Sequence, residues 1–348
     1  MDEKPIRKTP TPLFFELPAE NEVQNEKTGK CILCPNNCII KAQKFGKCRI
    51  RGFDSNLKPI IPFAGKISGL AVDPIEKKPL YHFYPRSQIL SVGFYSCNLS
   101  CPFCQNYHIS TKVDQNAKTI SPEEMAEITV SSDTIGLAYT YSEPMIHIEW
   151  IKETAKLLRS KNLKNVLVTN GYINKEAGES ILENIDALNI DLKSFDENFY
   201  TNELGARLDT IKDFIRLADS KAHVEVTTLV IPGKNDSEKE IEMIASFIAS
   251  VNSSIPFHLS CYYPTYKYSI ERTNPVKVIN LSAIASKYLE YVYVGNTVLA
   301  ENSTKCPSCG NLIVKRTGYK IEIMSSFSDK TLDSKICSNC GSKLNLIL

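Results

Sequence analysis

The sequence has no surplus of either charge: 41 Lys and Arg stand against 39 Asp and Glu over 348 residues, a net of +2. A surface so balanced carries no electrostatic footprint for nucleic acid or for an anionic membrane. No apolar run approaches the roughly 18 residues that a membrane-crossing helix needs. The first 28 residues, with Pro5, Pro10, Pro12 and Pro18 set among charges, lack the apolar run of a secretory signal. These absences point to a cytoplasmic protein with neither a nucleic-acid nor a membrane partner. What remains is ordinary for a globular chain, 23% charged and 43% hydrophobic. A chain of that size holds one large core with small attachments.

Cysteine, in contrast, is plentiful. The 12 thiols fall into groups: Cys31, Cys34, Cys38 and Cys48; then Cys97, Cys101 and Cys104; then Cys261 alone; then Cys306, Cys309, Cys337 and Cys340. Disulfide scaffolds are usually short and secreted, so clustering in this chain favours metal. The terminal pair of knuckles, Cys306-Pro307-Ser308-Cys309 and Cys337-Ser338-Asn339-Cys340, is the pattern of a zinc ribbon. Cys31 to Cys48 place four thiols within 18 residues. Structural zinc is the simplest occupant, a second iron–sulfur cluster is its rival, and spacing alone leaves both open. Cys261 reads as a buried, apolar-like thiol.

The middle group differs because it cannot close a four-ligand site. Cys97, Cys101 and Cys104 follow the apolar run 89–94 at C-x3-C-x2-C. Three thiolates suit a 4Fe–4S cluster whose fourth iron stays open to something other than protein.

Downstream, apolar runs alternate with helical patterns. Strands are expected at 134–140, 165–170, 187–192, 223–231, 256–262 and 291–294. Helices are expected at 144–160, 175–184, 208–219, 237–251 and 281–290, with a capped start at Ser121-Pro122-Glu123-Glu124. Residues 67–85, rich in proline and aromatics, read as an ordered loop, with His82 a packed loop histidine rather than a substrate contact. This α/β rhythm means a parallel sheet, curved toward a barrel, with its chemistry at the C-terminal strand ends. Those ends carry the Cys97 loop, Glu143, Asn170-Gly171, Asp191 and Lys193, and the stretch 232–236. Asp191 and Lys193, two apart, point to one face. The expected organisation is a loosely packed tail over 1–28, a four-cysteine segment over 29–60, a barrel domain over 61–300 and the ribbon over 301–348.

With these residues assembled, the chain resembles the radical S-adenosylmethionine (SAM) enzymes, through Cys97, Cys101, Phe103 and Cys104. More closely it resembles homologues of the pyruvate formate-lyase activating enzyme, in particular the AmmeMemoRadiSam-system radical SAM proteins. The resemblance implies a partial (β/α)6-type TIM barrel and a 4Fe–4S cluster on Cys97, Cys101 and Cys104, with SAM on the open iron. It places Phe103 near the adenine, Glu143 in the segment by the SAM amino group, and Asn170, Asp191 and Lys193 near the ribose and carboxylate. It further implies reductive cleavage of SAM to a 5′-deoxyadenosyl radical, a reductant such as flavodoxin or ferredoxin, and a protein or small-molecule substrate. No residue of the chain is singled out as a catalytic acid or base. Val168 stands where glycyl-radical activating enzymes carry an acidic residue, which argues against their monovalent-cation site. Tyr262-Tyr263-Pro264 replaces a common Phe-His-Pro, and Cys261 stands where relatives carry Arg. A glycyl-radical activase is therefore the narrower alternative. A zinc-bound adaptor without chemistry is the alternative from another class.

Overall fold

A computed structural model describes residues 10–17, 28–318, 320–324 and 336–348. Eight strands form one sheet whose spatial order follows the chain. Strand β1 (Ile67–Pro74) runs antiparallel to β2 (Gln88–Phe94). Then β3 (Gly136–Thr140), β4 (Lys164–Thr169), β5 (Ala187–Asp191), β6 (His223–Val230), β7 (Phe257–Cys261) and β8 (Val292–Gly295) follow, each parallel to the one before. Six helices return the chain between them: α1 (Pro122–Ser131), α2 (Ile148–Ser160), α3 (Lys175–Leu182), α4 (Leu208–Asp219), α5 (Glu238–Val251) and α6 (Pro275–Ala285). From β2 to β7 every strand is followed by a helix, and β8 ends the series without pairing to β1. The result is an open α/β barrel of the (β/α)6 kind.

The strands are legible because a parallel sheet is buried on both faces and so reads as continuous apolar runs. Every residue of β3 and β7 is buried. The helices turn a stripe inward: α4 buries Leu208, Ile211, Phe214, Ile215 and Ala218, at the spacing of one helical face. Helix α1 begins with the expected capping box, Ser121 Oγ accepting from the Glu124 amide at 3.1 Å and Glu124 Oε2 accepting from the Ser121 amide at 2.8 Å.

Three expectations change. Residues 67–74 are a strand and not a loop. As the edge of the sheet β1 exposes four central positions, so it lacks the apolar run that marks its neighbours. Helix α6 starts six residues earlier than expected, where Asn274 caps it by accepting from the Val276 amide at 2.9 Å and Pro275 takes the first turn. The tail is not loose where it is described. Phe15–Glu16 pairs with Lys30 and Cys31, and Leu13 is held through both its amide, donating to Glu149 Oε1 at 2.8 Å, and its carbonyl, accepting from Arg51. The rest of the 1–28 expectation lies outside the described residues.

The attachments occupy opposite ends of the barrel. The four-cysteine segment docks at the C-terminal strand ends, where Asn174 donates to the Ile32 carbonyl at 2.8 Å. The C-terminal unit has its own antiparallel strands, Thr304–Lys305, Leu312–Thr317 and Lys320–Ile323, and its own core of Ile313, Val314, Ile321, Leu344 and Leu346. It covers the N-terminal strand ends, with the Ile347 amide donating to the His82 carbonyl at 2.8 Å and Asn345 to the Ser254 carbonyl at 2.7 Å. His82 is wholly buried there, its Nε2 2.6 Å from the Tyr293 hydroxyl, so it is the packed residue expected. Among the described residues no helix is long and apolar enough to cross a membrane.

His147, at the entrance to α2, sets one pH dependence of the fold. Its Nε2 donates to the Tyr95 carbonyl at 3.1 Å, its ring stacks on Phe94 at 4.8 Å, and its buried Nδ1 has no partner. Burial drives its pKa down from 6.5 to about 4. A depressed folded pKa means stability that is full above pH 6.5 and is lost as pH falls toward 4, on the order of 3 kcal/mol. Urea unfolding between pH 7 and 4 should show this slope, and His147→Leu should be less stable at pH 7 yet flatter below it.

Candidate SAM and iron–sulfur site

The Cys97 loop leaves β2 at the open mouth of the barrel. It is pinned at several points: the Ser96 amide donates to the Ile109 carbonyl at 2.8 Å, the Ser100 amide to Leu204 at 3.0 Å, and the Lys267 amide to Pro102 at 2.9 Å. The three thiols line one cavity of about 310 Å³, together with Phe103, Asn170, Asp191 and Lys193. The ends of β2, β4 and β5 thus converge as the α/β pattern requires.

Each expected residue has a definite place. Lys193 Nζ meets Asp191 Oδ2 at 2.8 Å on the cavity wall, one face as the alternation predicted. That pairing, acting against burial, holds the Lys193 ammonium above its ordinary pKa. Asn170 Nδ2 lies 3.6 Å from Cys97 Sγ and donates to Asn98 Oδ1 at 3.0 Å. Phe103 is buried, stacked on Phe199 at 6.0 Å and leaning on Tyr268 at 5.7 Å.

Glu143 does not line the cavity. Its carboxylate is sealed behind the wall, where it accepts from Thr169 Oγ1 at 2.7 Å, the Asn170 amide at 2.9 Å and the Met145 amide at 3.0 Å. Burial outweighs these donors and lifts its pKa to about 7. Of this segment only Ser142 reaches the cavity, so a ligand would meet the neighbouring backbone and not the carboxylate. The 232–236 loop also stays outside: Asn235 donates to the Lys193 carbonyl at 2.7 Å and so positions that residue from behind.

Other residues of the site escaped sequence reasoning. Thr227, Ser260 and Asn296 line the cavity on β6, β7 and just past β8, and Thr227 Oγ1 is buried without a partner. Thr227 sits in mid-strand, where only the inward alternation could have pointed to it. Tyr263 lies outside, half exposed, with its hydroxyl donating to the Asn296 carbonyl at 3.1 Å. His258 does not line the cavity. Its Nε2 contacts Glu225 Oε2 at 2.6 Å, near the opposite end of the barrel. Cys261 is buried, as expected of an apolar-like thiol.

A sequence model of the radical SAM superfamily matches residues 92–248. The uncharacterized protein MJ0808 of Methanocaldococcus jannaschii is 33% identical over 343 residues, 97% of this chain and 99% of the relative. The chain belongs to the radical SAM superfamily. Another relative, MJ1632 of the same organism, is provisionally named a glycyl-radical enzyme activating enzyme and is 28% identical over 204 residues, 57% of this chain and 77% of its own. The 4-hydroxyphenylacetate decarboxylase activating enzyme of Clostridioides difficile (strain 630) is 28% identical over 130 residues, 35% of this chain and 41% of its own. Among solved structures, a domain of the pyruvate-formate lyase-activating enzyme of Bacteroides vulgatus aligns with TM-score 0.42 and 22% identity, over 46% of this chain and 99% of that domain.

A radical SAM domain implies a 4Fe–4S cluster and SAM, and the donor set fits them. Three sulfurs face one cavity but are spread more widely than the 4.8 Å within which the four ribbon sulfurs lie. A single tetrahedral ion needs the closer packing. Burial pushes Cys101 up to about 11 and Cys97 well above the usual thiol range, so thiolates there call for a metal to hold them. In the ribbon, Cys306 and Cys340 sulfurs are 3.6 Å apart and those of Cys309 and Cys337 3.8 Å, a four-cysteine group that could hold a metal.

The sealed carboxylate gives a direct test. Glu143→Ala strands two buried amides and the Thr169 hydroxyl, and should cost roughly 3 kcal/mol or more of stability, read by urea unfolding.

Proposed function

We propose that the cavity at the mouth of the barrel binds SAM against a 4Fe–4S cluster on Cys97, Cys101 and Cys104, and that the protein uses the resulting radical to take hydrogen from a substrate. The observation that supports this reading is the convergence of three thiols, the Asp191–Lys193 pair and Asn170 on one enclosed space of about 310 Å³. When bound there, the cluster supplies one electron that splits SAM into methionine and a 5′-deoxyadenosyl radical. The chain's own residues bind, orient and shield. Lys193 offers a fixed cation to a carboxylate, with Asp191 holding its position and offering acceptors to hydroxyl groups. Asn170 presents an amide whose own place is set by Glu143 behind it. Phe103 and Leu229 give the cavity apolar surface on which an aromatic base can lie and from which water is excluded.

An activating role toward a protein partner is the favoured reading of the substrate. Its support is the naming of the relatives as activating enzymes, and the rim itself. Tyr107 and Tyr266, both exposed, stack at 4.7 Å beside the cysteine loop, an amphipathic surface suited to a peptide segment. A one-electron protein donor, flavodoxin or ferredoxin, would act in the cytoplasm. The adaptor reading gives no reason for an open cavity lined by three thiols. The four ribbon cysteines serve as a structural zinc site in this account, at the end of the barrel away from the chemistry.

Anaerobically reconstituted protein with dithionite and SAM should release 5′-deoxyadenosine and methionine, and Cys101→Ala should release neither. Product persisting in that variant would refute the assignment. Lys193→Met, leaving the cysteines intact, should weaken SAM binding about tenfold by calorimetry, about 1.4 kcal/mol, and should leave iron content unchanged.

A further inference from the structure

The N-terminal thiols remain unassigned by the reading above, and the ribbon supplies the ruler for them. A tetrahedral zinc ion with Zn–S near 2.3 Å sets its sulfurs about 3.8 Å apart. The ribbon matches, at 3.6 and 3.8 Å. Among the described residues it is the only group of three or more Cys, His, Asp or Glu ligand atoms lying all within 4.8 Å of one another. Cys31, Cys34, Cys38 and Cys48 enclose one common cavity, yet no three of their sulfurs come that close. The space among them is about 10 Å³, room for one water-sized sphere. Four sulfurs drawn to about 2.3 Å from a central ion leave no such room. Cys97, Cys101 and Cys104 show the same wider spread.

The surroundings are those of ligating sulfurs and not of spare thiols. Arg51 Nε donates to Cys31 Sγ and the Lys47 amide to Cys38 Sγ, each at 3.4 Å. Arg51 is buried and fixed by Glu149, both of whose carboxylate oxygens accept from its Nη1 at 2.8 Å. Leu33 and Ile146 complete a dry wall. Hydrogen bonds to sulfur and exclusion of solvent are the levers by which a protein tunes an iron–sulfur cluster.

We propose that Cys31, Cys34, Cys38 and Cys48 hold a second 4Fe–4S cluster, distinct from the SAM-binding one and fully ligated by protein. With a thiolate on every iron it has no position for SAM, so its chemistry is confined to taking up and giving one electron. It adjoins the first site directly. Ser96, the residue before Cys97, donates its hydroxyl to the Cys48 carbonyl at 2.6 Å, and Asn36 donates to the Asn98 carbonyl at 3.0 Å.

The test uses full-length protein reconstituted anaerobically with iron and sulfide, beside a Cys97→Ala/Cys101→Ala/Cys104→Ala variant. The wild type should bind about eight irons, and the triple variant should keep about half, with matching sulfide and a 4Fe–4S Mössbauer doublet. Zinc should stay near one per chain in both. Adding Cys34→Ala and Cys48→Ala should remove the remaining iron. In reduced wild type, electron paramagnetic resonance should show two species, only one of them altered by SAM, a readout that needs no variant. A triple variant without iron, whether its zinc rises to two per chain or not, overturns the second cluster and leaves the proposed function standing. About four irons in the wild type that all survive in the triple variant would instead refute the SAM-cluster assignment.

Discussion

The carboxylate of Glu143 holds the mouth of the barrel together. It is closed off from water and joins the end of β3 to the end of β4 through Thr169 Oγ1 and the Asn170 amide. Asn170 in turn fixes Asn98, whose Nδ2 also donates to the Tyr172 carbonyl at 2.8 Å, and Asn98 sits within the cysteine loop. A chain of hydrogen bonds thus runs from one buried acid to the residue beside Cys97. A buried carboxylate with three donors is costly to disturb, because each donor would be left dry and unpaired. That cost keeps Cys97 in place against the cavity.

The same loop is gripped from its other side. Ser96 bonds to Cys48, and Asn36 to Asn98, so the N-terminal segment and the barrel share one seam. Arg51 carries that seam into the core by pairing with Glu149 on α2. Both partners are buried, and a buried pair stabilises only when its remaining hydrogen-bonding positions are filled. Here they are: Glu149 Oε1 also takes the Leu13 amide, and Arg51 also reaches the Leu13 carbonyl and Cys31 Sγ. The pair therefore orders the residues around the four thiols as much as it binds two elements.

The candidate cavity and the most heavily bonded buried carboxylate lie at opposite ends of the sheet, the division usual for barrels. Near the N-terminal end Glu225 is wholly buried and meets His223 and His258 at 3.0 and 2.6 Å, while the amides of Tyr81 and His82 donate to it at 3.0 and 2.7 Å. These partners drive its pKa well below the carboxylate range, against the cost of burial. Arg316 of the ribbon lies over the Tyr81 ring at 4.6 Å and donates to Thr304 at 2.6 Å. With both of its oxygens engaged twice over, the Glu225 carboxylate has no free position to offer a substrate. The cluster around it closes the barrel and docks the ribbon.

What the sequence displays follows from how each element is buried. Strands β2 to β8 carry mainly apolar runs because both faces are covered, and strand ends follow from strands, so the position of Cys97, Asn170, Asp191 and Lys193 at the mouth is legible in the sequence. Strand β1 is not, because an edge strand in this sheet has half its surface in water and no distinguishing pattern. Glu143 stands just after a strand, as the sequence shows, but its carboxylate backs the cavity wall while Ser142 beside it faces the cavity. Position after a strand tells which end a side chain occupies, and only packing tells whether it faces the cavity or backs it. The cysteines mark the same limit more sharply. C-x2-C spacing brings two thiols into one turn in the ribbon and in the N-terminal segment alike, but the distance across a four-thiol site depends on how far apart its two halves are held. In the ribbon the two halves share one core, in which Cys306 and Cys337 pack with Ile313, Val314 and Leu344. In the N-terminal segment Cys48 is tied through its carbonyl to Ser96 of the barrel, so the spacing of those four thiols depends on the assembled fold.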